Sequence, residues 1–289
     1  MLTVVALGGN AFSKDSPRLE SERLKEAAED VMNLLADGKV VITHGNGPQV
    51  GALYSDLTYL SLWEGVACTQ GWMGASLAHV IDIELRERGY PFKTVVVITR
   101  VVTDPSEGTL KPVGLPLDER KVLELRATGS KVMTDSRGRL RRAVLSPQPQ
   151  AIVEIDAIKT LLNNKFIVIC CGGGGIPLVG YERIETVVDK DLASQVLANS
   201  LGADRLIILT DTDFVYLDYG TAKQRPIWKL TADDALKLYS EGQFGEGSMA
   251  PKVLAAARFV RNGGKVAFIG RLGRVREILS RNSGTEVVP

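Results

Sequence analysis

Cysteine and histidine are scarce in this 289-residue chain, which holds Cys68, Cys170, Cys171, His44 and His79 and no others. Three cysteines, two of them adjacent, build neither a disulfide framework nor a zinc site with separated Cys and His ligands. So few histidines leave a Ser-His-Asp site weakly supported, and a reducing cytoplasm is the simplest compartment. No apolar run approaches the ~20 residues that span a bilayer. The apolar start, Met1 to Leu7, lacks a basic region and runs straight into Gly8-Gly9-Asn10. It reads as a first strand, not a signal peptide. A formal net charge of +1 supplies no field for nucleic acid or an anionic membrane, so any basic site is local. Two familiar phosphate loops are also missing. Gly45-x-Gly47-x-x-x-Gly51 has one residue too many for a dinucleotide fingerprint, and no Gly-x-x-x-x-Gly-Lys-Ser/Thr occurs.

What is present is a rhythm of short β-branched runs and helical stretches. Thr3–Leu7, Lys39–Thr43, Thr94–Thr99, Phe166–Cys171, Arg205–Thr210 and Lys265–Ile269 read as strands. Leu24, Ala27, Ala28, Val31, Leu34 and Leu35 recur at helical spacing before Gly38, and Leu236–Glu241 and Val253–Asn262 read as further helices. Strands apolar on both faces and separated by helices predict an α/β fold: a three-layer αβα sandwich around a mostly parallel sheet. The length favours two lobes, 1–165 and 166–289. From Thr103 to Pro149 the rhythm fails in a stretch rich in Pro, Gly and charge, including Arg137, Arg139, Arg141 and Arg142. It is too long for an ordinary connection and predicts a protruding subdomain, either a solvated insertion or a lid over substrate.

Three glycine-rich turns follow expected strands: Gly8-Gly9-Asn10, His44-Gly45-Asn46-Gly47-Pro48-Gln49 and Gly172-Gly173-Gly174-Gly175. At strand ends such loops let backbone N–H groups face an anion, although tight turns need glycine for conformational reasons alone. Asp189-Lys190-Asp191 precedes a helical run, where an aspartate is ordinarily a cap. Gly245-Glu246-Gly247-Ser248-Met249-Ala250-Pro251-Lys252 leads into another helix. A first-turn lysine is ordinarily just solvated, and the helix dipole disfavours it there. A lysine at each of two helix mouths makes sense with an anion between them.

These blocks, in this order, resemble the carbamate kinases of the amino acid kinase superfamily. The resemblance rests on Val5–Ala11, His44–Gly51, Gln70-Gly71 with Gly74, Lys111-Pro112-Val113-Gly114, Arg141–Pro149, Gly172–Ile176, Val188–Ala193, Ile208–Asp211 and Gly247–Lys252. It runs on to the final Gly284–Pro289 and so covers nearly the whole chain. Ala75 stands where the family usually has Tyr, Ala250 where it has Gly and Gln243 where His is common, and the lid segment is short.

The resemblance implies reversible phosphoryl transfer between ATP and carbamate, giving ADP and carbamoyl phosphate, with Mg²⁺, in a cytoplasmic homodimer of arginine metabolism. It implies that Gly8, Gly9, Asn10, Gly45, Asn46, Gly47, Gln70 and Gly71 hold the carbamate side. Gly173, Gly174, Asp189, Thr210, Asp211, Tyr216, Ser248 and Met249 would hold nucleotide. Lys111, Lys190 and Lys252 would neutralise the moving phosphoryl group, and Asp191 would orient lysines and help place the metal, partly through water. The dimer would form near Leu53, Leu57, Leu60, Leu62 and Trp63; alternatively, those residues fill the core. Two rivals remain: a sister kinase with another acceptor, and a nucleotide-binding regulator without catalysis.

Overall fold

The protein is described from a computed structural model covering residues 1–9, 12–13, 17–57, 59–135, 138–245 and 249–289, with the side chains of Ser55 and Asp56 also left aside. In chain order its elements begin β1 (Leu2–Leu7), α1 (Ser21–Leu35), β2 (Lys39–His44), α2 (Gly47–Asp56) and α3 (Leu62–Glu87). There follow β3 (Lys93–Val96), β4 (Arg100–Val113), α4 (Glu119–Ala127), β5 (Lys131–Thr134), β6 (Leu140–Ile152), α5 (Ile155–Asn163) and β7 (Phe166–Ile169). Next come β8 (Ile176–Val179), β9 (Glu182–Arg183), α6 (Lys190–Leu201), β10 (Arg205–Thr210), β11 (Val215–Leu217) and β12 (Arg225–Ile227). The chain ends with β13 (Lys229–Thr231), α7 (Ala232–Ser240), α8 (Ala250–Arg261), β14 (Val266–Arg271), α9 (Val275–Leu279) and β15 (Thr285–Val288).

The main sheet has eight strands in the order β13-β15-β14-β10-β1-β2-β7-β3. Its pairs are parallel except β14 with β15. The alternation of side chains along each strand feeds two separate cores. Val4 and Ala6 of β1, Val41 of β2 and Leu206 and Ile208 of β10 join α5, α6, α7 and α8. Val5 and Leu7, Ile42, and Ile207 and Leu209 join α1, α3 and α9 on the other face. Each fully buried Leu or Ile contributes about 1.5–3 kcal/mol relative to exposure. The two cores together make the expected three layers with a mostly parallel sheet.

Some boundaries differ from expectation. The third strand stops at Val96, because Gln70 of α3 clamps the following Thr99, accepting from its N–H at 2.9 Å and donating to its carbonyl at 3.2 Å. The fourth stops at Ile169, since Cys171 turns left-handed, at φ 50°, into a 3-10 turn over Gly172–Gly174. Strand β7 lies between β2 and β3, so the main sheet runs unbroken across residue 165.

The irregular stretch supplies β5 and most of β4 and β6 to a second sheet, ordered β5-β6-β4-β8-β9, whose last two strands come from beyond it. Strands β4 and β6 form its long antiparallel ribbon, and α4 and β5 lie between them in sequence. No described helix is long and apolar enough to cross a membrane.

One buried carboxylate ties α1 to the segment that follows β14. Asp30 of α1 accepts from the backbone N–H of Gly273 at 2.7 Å and of Val275 at 3.2 Å, at the start of α9. Burial pushes its pKa up to about 6, helped by Glu26 and Glu29, while the two hydrogen bonds pull it down. A carboxyl that binds its proton more tightly folded than unfolded adds stability below the unfolded pKa and loses it as pH rises through about 6. Denaturant titration should therefore show wild type gaining about 1 kcal/mol between pH 7 and pH 5 relative to the same change in Asp30→Asn. Equal pH slopes in the two proteins would contradict this assignment.

Candidate active site

The carboxyl ends of the parallel strands open into one cleft of about 620 Å³, within the range of small-ligand sites. Strands β1 and β2 end in register, Leu7 beside His44, so their loops leave the sheet side by side. Gly45 N–H donates to the Leu7 carbonyl at 2.8 Å, and Gly8 N–H to the Leu209 carbonyl at 2.9 Å. A Cβ on Gly45 would lie 2.6 Å from the Gly9 nitrogen, so the two loops meet only because glycine is there. Gly8, Gly9, Gly45, Gly47 and Pro48 form one wall, and Gly47 opens α2. Strand β10 adds Thr210, with Asp211 and Thr212 following it.

Three lysines enter from three separate segments: Lys111 from β4, Lys190 from the first turn of α6 and Lys252 from the first turn of α8. Two buried aspartates receive them. Asp189 caps α6 with one carboxylate oxygen, accepting from Asp191 N–H at 2.8 Å and Leu192 N–H at 3.0 Å. Its other oxygen takes the Lys111 ammonium. Asp191 sits between the remaining two, with Lys190 Nζ 2.6 Å from Oδ1 and Lys252 Nζ 3.0 Å from Oδ2. The Lys190 contact is an ion pair without hydrogen-bond alignment, so that ammonium keeps donors to offer. Burial pushes the Asp191 carboxyl up, but the two lysines outweigh it and hold the group well below the usual carboxylate range. Burial, with the neighbouring charges of Lys252 and Lys190, lowers the Lys111 pKa to about 8 against the pull of Asp191. Lys190 is lowered in the same way, chiefly by burial.

The backbone of Lys190 is fixed from the sheet. Ser194 Oγ donates to the Lys190 carbonyl at 2.7 Å and lies 2.6 Å from Thr43 Oγ1 of β2. His44 is buried, and burial, with a smaller push from Lys190, lowers its pKa to about 4. It is a neutral imidazole at physiological pH, its Nδ1 3.1 Å from the Gly45 carbonyl.

Several residues expected to touch ligand stand behind this wall instead. Gly172 presses on His44, where a Cβ would meet the ring at 2.6 Å, and one on Gly173 would meet the Asn46 amide at 2.2 Å. Gly174 abuts the Val188 carbonyl. The expected nucleotide loop at Gly173 and Gly174 is thus a buried backing for the β2 loop, outside the cleft wall. Asn46 is buried and donates to Thr69 Oγ1 at 2.8 Å. Gln70 holds Thr99 as described, and Gly71 lies within α3 beside Ile98, away from the cleft. Asn10 and Ser248, with Arg137 of the lid, lie outside the described residues.

Asp189, Thr210, Asp211, Tyr216 and Met249 line the cleft. Tyr219, Phe244, Gly245, Thr212 and Pro251 join them unforeseen. Tyr219 and Phe244 come from connecting segments without a motif, and only their closeness in sequence to Tyr216 and to the Gly245–Lys252 block hinted at them; Gly245 and Pro251 belong to that block. Gln243 also lines the cleft, whereas Ala75 is exposed on α3.

No group of three or more His, Cys, Asp or Glu that could hold a metal occurs among the described residues. Both oxygens of Asp191 face lysines and Asp189 is taken by Lys111, so direct ligation of Mg²⁺ by Asp191 does not fit this arrangement. What the site can do unaided is gather charge from an anion.

The chain matches the amino acid kinase family over residues 1–271. It is 40% identical over 301 residues to a carbamate kinase of Thermoplasma acidophilum, covering 99% of this chain and 98% of that one. It is 38% identical over 309 residues to a carbamate kinase of Pyrococcus horikoshii, with the same two shares. A carbamate kinase from Giardia lamblia, solved bound to AMP-PNP, superposes with a TM-score of 0.86 at 32% identity over 99% of this chain and 98% of that one. Full-length likeness at this level, on a fold whose strand-end loops and three lysines meet in one cleft, means that the chain belongs to the amino acid kinase family and, within it, to the carbamate kinases.

Proposed function

We propose that the protein transfers a phosphoryl group reversibly between carbamoyl phosphate and ADP, and that its net use is ATP formation. The observation that carries this reading is the convergence of Lys111, Lys190 and Lys252 on the glycine loops of β1 and β2. In the forward step a terminal oxygen of ADP forms a bond to phosphorus as the bond from phosphorus to the carbamate oxygen breaks. Carbamate leaves as an anion, and no proton changes hands. No described histidine lines the cleft, which suits a reaction that needs alignment and charge cancellation rather than a base.

The placement of the residues supports the following roles. The loops of Gly8, Gly9, Gly45 and Gly47 hold the carbamoyl end and the phosphoryl oxygens, through N–H groups other than those of Gly8 and Gly45, which bind the Leu209 and Leu7 carbonyls. Lys190 and Lys252 meet the phosphoryl group from the nucleotide side, Lys111 comes from the lid, and Asp191 keeps the first two apart. Thr210, Asp211, Tyr216 and Met249 take the nucleotide, with Asp189 bordering it. Residues 1–165 thus form mainly the carbamoyl side and 166–289 the nucleotide side. The AMP-PNP complex of the Giardia relative supports a nucleotide in this cleft. Mg²⁺ would arrive with the nucleotide phosphates and water and supply charge neutralisation there.

We further propose a cytoplasmic enzyme of arginine metabolism, in keeping with three free cysteines. A homodimer is proposed too. Leu62 belongs to a buried cluster, however, and Trp63 packs against it. The exposed Trp72 and Ile98 are therefore the better candidates for the contact.

A coupled assay with carbamoyl phosphate, ADP and Mg²⁺ should yield ATP, and other acyl phosphates should yield far less. Preference for another acyl phosphate indicates a sister kinase, and tight ADP binding without turnover indicates a regulator. Lys190→Ala should lower kcat by about a hundredfold or more while ADP affinity changes little. Wild-type turnover in that variant would remove Lys190 from the chemistry. Lys111 carries its charge below a pKa of about 8. The kcat/KM profile should therefore fall as pH rises through that value, and the fall should move to higher pH in Lys111→Arg, which stays charged.

A further inference from the structure

Two glycines of the sequence blocks, Gly51 and Gly114, are absorbed by none of the roles above. The structure brings them together. Gly51 lies buried in α2, and Gly114 follows the last residue of β4. A Cβ on Gly51 would lie 2.8 Å from Gly114 Cα and 2.9 Å from its carbonyl carbon. Backbone atoms cannot swing aside as a side chain does, so this approach exists only with glycine at position 51. Around it the far end of the β4–β6 ribbon is fastened to α2. The Gly114 carbonyl accepts from the Arg141 guanidinium, and Arg142 donates to the Tyr54 hydroxyl. The Arg142 guanidinium also lies over the Tyr54 ring, 5.1 Å from its centroid. Val113 and Val144 of the lid pack with Val50 and Tyr54 of α2.

The position of this contact gives it a consequence. Lys111 stands three residues before Gly114, and on a strand it shares a face with Val113. At about 3.4 Å per residue, the contact lies about 10 Å along the ribbon from the lysine it steadies. Helix α2 also begins at Gly47, which with Pro48 walls the cleft. One short helix therefore touches the anion loop at its first turn and the lid at its second.

We infer that Gly51 and Gly114 form a seat that sets how deeply the lid lowers Lys111 into the cleft, with Tyr54 and Arg142 as its brace. The four are positioning residues acting through Lys111. The inference rests on the proposed part of Lys111 in phosphoryl transfer. An alanine at 51 lifts the ribbon off the helix and draws the ammonium back from the phosphoryl group, while the nucleotide side is untouched.

The test is a double-mutant cycle in the ATP-forming direction, with ADP affinity by calorimetry and melting temperature measured on each protein. Gly51→Ala should lower kcat by about tenfold to a hundredfold, the cost of an ångström-scale misplacement. Its ADP affinity should stay within about twofold of wild type, and in a Lys111→Ala background the same change should cost less than about threefold. Equal losses in both backgrounds would remove the seat and leave the role of Lys111 standing. Wild-type turnover in Lys111→Ala would overturn that role and the seat with it. Should Gly51→Ala fail to fold, Tyr54→Leu carries the same cycle. Tyr54→Phe, which keeps the ring under Arg142, should recover part of the loss. No difference between Phe and Leu at 54 would count against the brace.

Discussion

Three ammonium groups share one small cleft only because a carboxylate stands among them. Two like charges about 4 Å apart repel by about 4 kcal/mol at the effective dielectric of a protein surface. The first turns of α6 and α8 are moreover places where the helix dipole opposes a lysine. Asp191 answers both costs: it lies in the first turn of α6, where the dipole favours it, and its two oxygens face Lys190 and Lys252. Asp189 does the same for Lys111 while capping the helix. Two carboxylates against three lysines leave the described charge cluster with an excess of one positive charge. That local excess favours an anion beside the lysines, whereas the lining as a whole, with Asp211, sets three aspartates against three lysines.

The rest of the fold holds this cluster still. Helix α6 is tied to the end of β2 through Thr43 and Ser194. Helix α8 is enclosed by the sheet and by α6 and α7, and its consecutive Ala255, Ala256 and Ala257 are all fully buried. The lid brings the third lysine on a strand, not a loop, so its reach is set by the pairing of β4 with β6. Each lysine thus rests on a regular element, which suits a reaction that depends on alignment more than on proton transfer.

Much of this was legible in the chain because the central strands of its main sheet are buried on both faces. Lys39–Thr43 and Arg205–Thr210 read as strands almost to the residue, since β-branched runs bounded by glycine or polar turns leave little choice. The lid was not legible as a sheet. Strand β4 is exposed over Pro105–Leu110 and carries Pro, Gly and charge, so it shows neither a buried run nor clean alternation. Its pairing comes from β6, some thirty residues on, and that long-range partner has no local signature. The same limit hid Tyr219 and Phe244, which reach the cleft by tertiary placement alone.

The glycine loops show why a motif and a contact are different things. Gly45 and Gly173 look alike in sequence, each in a glycine-rich turn after an apolar strand. In the fold, Gly45 lies on the cleft wall because its strand is the neighbour of β1 in register. Gly173 lies a layer deeper, fitted under Asn46, because β7 pairs on the far side of β2. Both positions exclude a side chain, one so that two loops can meet and the other so that a side chain can sit above it. A sequence pattern registers the exclusion, but only the strand order tells which glycine faces the ligand. Sheet topology therefore decides which glycines line the cleft, and the lysines on α6, α8 and β4 decide what those glycines can hold.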